Sequence, residues 1–189
     1  MNYEEQPIVF DNLSPEEVLQ FINGLNDPAY GRFTPKGVYL GGPVTEFLED
    51  NPSYAVQWRQ AFQSNLAEIA PGVFKIYDPT EGTWSQNELK FEKAEYNQWR
   101  YTDHYILDNC TEKIRKSDIL VFNFLESSYQ TPGTFWEIGL AFGLPNKYII
   151  VVDRPDGLAA NHPLIKNSCN FIFESLFDAA MACKYISEK

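Results

Sequence analysis

The sequence predicts an α/β domain whose parallel sheet is covered by helices on both faces. Three observations point there. Apolar runs of strand length recur along the chain, among them "DILVFNFLE" and "KYIIVVD". Segments with apolar residues at helical spacing separate these runs. Each strand is a continuous apolar stretch rather than an alternating one, as a strand buried on both faces must be.

The elements follow in order. "LSPEEVLQFINGLND" offers Ser14 as a cap, Pro15 at the first helical position and acids in the first turn. It is expected to form a helical extension within residues 1–35, ahead of a main domain over 36–189. "KGVYLGG" reads as a buried strand ending in a glycine turn, "PSYAVQWRQAFQSNLAEIA" as a helix and "GVFKIYDP" as a second strand. From Thr83 to Lys116 the chain is polar-aromatic and helical, with a break expected near Tyr101. "DILVFNFLE" is the third strand, "GTFWEIGLAFG" a helix after a Pro-Gly turn, and "KYIIVVD" the fourth strand. "DRPDGLAANHP" reads as an exposed loop, "NFIFE" as the fifth strand and "SLFDAAMACKYIS" as the closing helix. In such sheets the ligand crevice lies beyond the carboxyl ends of the strands. The turns at Gly41-Gly42, Asp78-Pro79, Asn123 to Gly133 and Asp153 onward should gather there.

Composition narrows the function. The 189 residues are 44% hydrophobic and 15% aromatic, enough for one compact domain with a core. A net charge of −11 without any Lys/Arg cluster argues against a nucleic-acid polymer as partner. It leaves a small ligand open, because a pocket needs only local polar groups. The longest apolar runs are too short to span a bilayer, and "MNYEEQPIVF" has no signal-peptide core, so a cytoplasmic protein is expected. Three cysteines without a C-x-x-C fit reduced thiols. His104 and His162 lack partners at metal-ligand spacing, so no metal is expected. Neither a G-x-S-x-G elbow nor a G-x-G-x-x-G or phosphate-loop motif occurs, and no organic cofactor is expected.

One acid stands out. In "TPGTFWEIGLAFG", residues 131–143, Glu137 is the single charge. Two readings fit it. Thr134 to Glu137 has the form of a capping box, in which the acid bonds back to the cap residue's N–H. Alternatively, a carboxylate in the first helical turn, favoured by the helix dipole, stands beside the crevice. A fixed, ionised carboxylate there suits displacement at an anomeric carbon, where it can form a covalent glycosyl intermediate.

"VYLGGP" at 38–43, "SDILVF" at 117–122, "GTFWEIGLAFG" at 133–143 and "KYIIVV" at 147–152 resemble, in that order, the nucleoside 2-deoxyribosyltransferase family. The similarity spans roughly residues 37–176. It implies a flavodoxin-like, doubly wound, five-stranded parallel sheet. It also implies an enzyme that cleaves the N-glycosidic bond of 2′-deoxynucleosides through a deoxyribosyl-Glu137 intermediate and transfers the sugar to another nucleobase. The partners would be a small nucleoside or nucleotide and a free base. By the same resemblance Tyr39 orients the nucleophile, and Gly41 and Gly42 let substrate approach the backbone. Asn161 would reach the sugar in a neighbour's site, which implies a homo-oligomer with shared active sites.

Two positions depart from the family pattern. The aspartate expected six residues before the nucleophile is Thr131, which we count with Gly133 among the substrate-facing positions. The aspartate expected eight residues before Asp118 is Cys110, with Asp108 two residues earlier. By the resemblance Asp108 fits either that aspartate's catalytic role, in base recognition and leaving-group protonation, or a solvated surface acid. Asn123 and Glu126, after the third strand, fit either a ligand contact or a loop. Trp84, Trp99 and Tyr101 fit either base stacking or packing on the sheet. Two alternatives to transfer are a nucleoside 5′-monophosphate N-glycosidase and a nucleotide-binding module without turnover.

Overall fold

The computed structural model describes residues 37–42, 54–79, 99–125 and 132–188, with the side chains of Tyr54, Ala55 and residues 99–106 outside the description. The extension expected over residues 1–35, and Trp84, Glu126 and Thr131, fall outside it as well. So do the side chains of Trp99 and Tyr101.

Five strands form one all-parallel sheet in the order β2-β1-β3-β4-β5: β1 Gly37–Gly41, β2 Lys75–Tyr77, β3 Ile119–Asn123, β4 Tyr148–Val152 and β5 Phe171–Phe173. The helices are α1 Tyr54–Ile69, α2 Trp99–Lys116, α3 Pro132–Phe142, α4 Leu158–Asn161, α5 Pro163–Ser168 and α6 Leu176–Ser187. This is the doubly wound, flavodoxin-like arrangement expected, with the order reversing between β1 and β3.

The continuous apolar strands divide their side chains between two cores, because successive residues point to opposite faces. Val38, Leu40, Ile119, Val121, Ile150 and Val152 pack on one face under α1 and α6. Tyr39, Leu120, Phe122, Ile149 and Val151 pack on the other under α2, α3 and the short helices α4 and α5. Helix α1 offers Trp58, Phe62 and Leu66 at intervals of four, one stripe on its surface, and Pro71 follows its end. Helix α6 starts at Ser175, whose hydroxyl accepts from the Asp178 N–H at 3.1 Å. Its buried alanines, Ala179, Ala180 and Ala182, let it lie close to the sheet.

Three local expectations need correction. Pro132 and Gly133 are not a turn before the helix; they are its first two residues, with Pro132 at the position where a missing N–H costs nothing. The segment read as an exposed loop folds into α4 and leads into α5, with Ala159 and Ala160 buried. Helix α2 also runs through Tyr101 without the expected break.

Candidate active site

The alternation within β1 sets the site. Tyr39 and Gly41 are two residues apart and face the layer of α2 and α3, while Val38 and Leu40 face the opposite core. Across from them, α3 presents Glu137. The fully buried Tyr39 donates its hydroxyl hydrogen bond to Glu137 Oε1 at 2.7 Å. Gly41 brings bare backbone against the other oxygen. A Cβ there would lie 3.0 Å from Glu137 Oε2 and 2.3 Å from the Phe122 ring, so the position admits only hydrogen. Gly42 has φ +151°, and a Cβ on it would press on Asn123 and Trp58.

Because α3 opens at Pro132, Glu137 lies beyond its first turn, and that turn contains no acid. The capping-box reading and the helix-dipole reading both fail for this reason. Thr134 is a buried residue inside the helix, and the carboxylate bonds across to β1 instead. Part of the Glu137 side chain still reaches solvent, although protein closely surrounds the carboxylate, as at the floor of a crevice.

That enclosure pushes the Glu137 pKa up to about 7, and three groups oppose the rise: the Tyr39 hydroxyl, the Arg59 guanidinium and the Cys110 thiol. Tyr39 in turn is pushed well above its ordinary range, first by burial and then by the neighbouring carboxylate, so it remains a proton-bearing donor. Glu137 is therefore poised near neutrality between its carboxylic acid and its carboxylate.

Arg59 was not among the residues expected here. It is buried on α1, with its Nη2 donating to the Gly42 carbonyl at 3.3 Å and its Nε 3.4 Å from Asp78 Oδ1 at the end of β2. It thereby ties the ends of β1 and β2 together and lends positive charge toward Glu137. The sequence did carry a signal for it: Arg59 is three and seven residues before Phe62 and Leu66, on the apolar stripe, where a lone charge needs a buried partner.

The other expected residues divide. Cys110, half-buried on α2, lies beside Glu137 and Tyr39 and bears on the ionisation of both. Asp108, two residues earlier and so about 200° round the helix, is exposed. Asn123 is buried at the end of β3, with its Oδ1 accepting from the Leu125 N–H at 3.1 Å. Gly133 is exposed, with open space where a Cβ would stand. Asn161 is exposed, and its Nδ2 donates to the Pro155 and Gly157 carbonyls, each at 2.8 Å. Among the described residues no group of three or more His, Cys, Asp or Glu could hold a metal ion, and no helix is long and apolar enough to cross a membrane.

Several solved structures are similar to this chain. One is a 2-deoxyribosyltransferase from Bacillus psychrosaccharolyticus, 22% identical, with a TM-score of 0.52 over 76% of this chain and 90% of that one. A conserved protein from Enterococcus faecalis is 19% identical, with a TM-score of 0.47 over 79% and 97%. A CMP N-glycosidase from Clostridium botulinum is 15% identical, with a TM-score of 0.44 over 79% and 98%. None of the curated proteins matches the chain in sequence. The model of the family described as nucleoside 2-deoxyribosyltransferase like matches residues 35–155, from the start of β1 through β4 and including Tyr39, Cys110 and Glu137. The chain belongs to the nucleoside 2-deoxyribosyltransferase-like family, whose chemistry is that of the nucleoside N-glycosidic bond.

Proposed function

We propose that this protein cleaves the N-glycosidic bond of 2′-deoxynucleosides through a covalent deoxyribosyl-Glu137 intermediate and transfers the sugar to a second nucleobase. The observation that carries this reading is the 2.7 Å hydrogen bond from Tyr39 to Glu137 Oε1, with Gly41 backbone against Oε2. A carboxylate so held cannot swing freely, and orientation of this kind supplies part of the acceleration in displacement reactions. In the first step a Glu137 oxygen bonds to C1′ and the C1′–N bond breaks, its electron pair leaving with the base, which takes up a proton. In the second, a ring nitrogen of an acceptor base bonds to C1′, loses its proton and releases Glu137 as a carboxylate.

Gly41 and Gly42 give the sugar room at the end of β1. Asn123, Thr131 and Gly133 are assigned to the substrate side of the crevice, and Asp108 to its outer edge on α2. Asn161 is assigned to contact with the sugar bound by a neighbouring subunit, in a homo-oligomer of at least two copies. Light scattering at micromolar concentration tests this assembly; a catalytically active monomer would defeat it.

The reaction itself is tested by incubating the protein with a panel of 2′-deoxynucleosides and their 5′-monophosphates, with and without a free acceptor base. Base exchange that requires the acceptor is the expected result. Release of free base and sugar phosphate from a monophosphate alone would make the protein a hydrolase. No turnover of any substrate, with binding retained, would reduce it to a nucleotide-binding module.

A further inference from the structure

We propose that Cys110 is a positioning residue of the site: its S–H donates to the Glu137 carboxylate from the α2 side and, together with Tyr39 from β1, holds it in its ionised, oriented form. This rests on Glu137 as the nucleophile, but its test does not require turnover.

The geometry begins with helix spacing. Cys110 precedes the fully buried Ile114 by four residues, so the two share the face of α2 that meets the sheet. That face brings the thiol to the Tyr39–Glu137 pair. Tyr39 donates to Glu137 Oε1 at 2.7 Å, and Cys110 lies beside both residues, where its single S–H can reach the same carboxylate. Burial pushes the Cys110 thiol up to about 11, so it carries a proton at neutral pH and can serve as the donor. A donor beside a carboxylate stabilises the charged form. The groups that face Glu137 are Tyr39 from β1, Arg59 from α1 and Cys110 from α2, with Asp78 behind Arg59 and Lys113 one turn along from Cys110.

A thiol here differs chemically from a carboxylic acid. It opposes protonation of Glu137 without adding a second negative charge, so the nucleophile is not forced to share a proton with its neighbour. It is also a weak donor, which leaves the Glu137 carboxylate able to turn toward an electrophilic carbon.

The test compares wild type with Cys110→Ala and Cys110→Ser. The carboxyl carbon of Glu137 is followed by NMR in protein labelled at glutamate, its signal assigned by its loss in Glu137→Gln. Cys110→Ala should raise the Glu137 midpoint by about one pH unit, and Cys110→Ser, which restores a donor, should return it to the wild-type value or below. Where a substrate is turned over, kcat/KM of Cys110→Ala should fall about tenfold on the acid side of the profile and recover as pH rises, with KM little changed. An unchanged midpoint in Cys110→Ala would overturn the inference, since a packing role would not move it. If Cys110→Ala does not fold, Cys110→Val carries the same comparison. A raised midpoint in a protein that turns over no nucleoside would uphold this inference while removing the proposed reaction.

Discussion

Two of the carboxylates enclosed at the carboxyl end of the sheet are held in opposite ways. Asp153, just past β4, accepts from backbone: Arg154 N–H at 2.8 Å on Oδ1, and Ala159 and Ala160 N–H at 2.7 and 3.1 Å on Oδ2. Glu137, on α3, accepts from a side chain, the Tyr39 hydroxyl at 2.7 Å, with the Cys110 thiol and the Arg59 charge near it. Burial raises the pKa of both, and in both the hydrogen bonds oppose the rise. The difference lies in what can be exchanged. Release of Asp153 would leave the buried first amides of α4 without a partner, so its oxygens are committed to structure. Partners on side chains can reorient, and an acid bonded to them can trade one contact for a bond to substrate. Burial alone does not mark a reactive carboxylate; the kind of partner does.

The sharpest way to break this comparison is Glu137→Gln. Activity should fall about a thousandfold or more while the fold survives, because an amide fills the same space but is no nucleophile. Activity near wild type would make Glu137 as structural as Asp153.

The same variant should respond to pH. The folded-state pKa of Glu137, about 7, lies above the unfolded value near 4.5, so the folded state binds the extra proton between them. The wild type then holds this contribution below about pH 4.5 and loses it as pH rises through about 7. Denaturant unfolding should therefore show Glu137→Gln gaining on wild type across that window, by on the order of 1–3 kcal/mol at pH 8. A difference independent of pH would mean that the carboxylate is better solvated than its enclosure indicates.

Asp153→Asn should show the reverse pattern. It places an NH2 among backbone donors and should cost about 1–3 kcal/mol of stability, with turnover per folded molecule close to wild type. A large loss of turnover at full stability would bring Asp153 into the reaction and end the distinction.

The smallest expected effect is that of Tyr39→Phe. Loss of the hydroxyl should slow the chemical step about tenfold and cost roughly one hydrogen bond of stability, about 1 kcal/mol. A sharp drop in melting temperature with unchanged turnover would leave Tyr39 a core aromatic only.

The strands were legible because burial on both faces leaves unbroken apolar runs, and a run as short and β-branched as "KYIIVV" suits a central strand better than a helix. The start of α3 was not. Pro132-Gly133 carries the signal of a turn as well as that of a helix start, and "TFWE" imitates a capping box; which applied depended on the position of Pro132. Helix α4 was invisible because its four residues are too few for a periodic pattern, and its amides bond to Asp153, outside the helix. In the site, Glu137 could be singled out as a lone charge in an apolar segment. Its partnership with Tyr39 came from resemblance alone, since nothing local links residues 98 positions apart. Cys110 was reached by counting residues but was weighed as a missing aspartate rather than as a neighbour of Glu137. Arg59 was passed over because a charge in a helix is usually solvated, although its place on the apolar stripe argued otherwise.

The strict alternation of β1 has a consequence for how this chain can change over generations. Tyr39 and Gly41 share their face with Glu137 while Val38 and Leu40 share theirs with the opposite core. Exchange of one apolar residue for another at 38 or 40 leaves that division intact. Loss or gain of a single codon within 37–41 does not, because it turns part of the strand over, sending Leu40 toward the carboxylate or Tyr39 into the opposite core. Descendants of this sequence should therefore accumulate substitutions along β1 freely on the core side but almost no length changes, with indels displaced to the segments beyond Gly42.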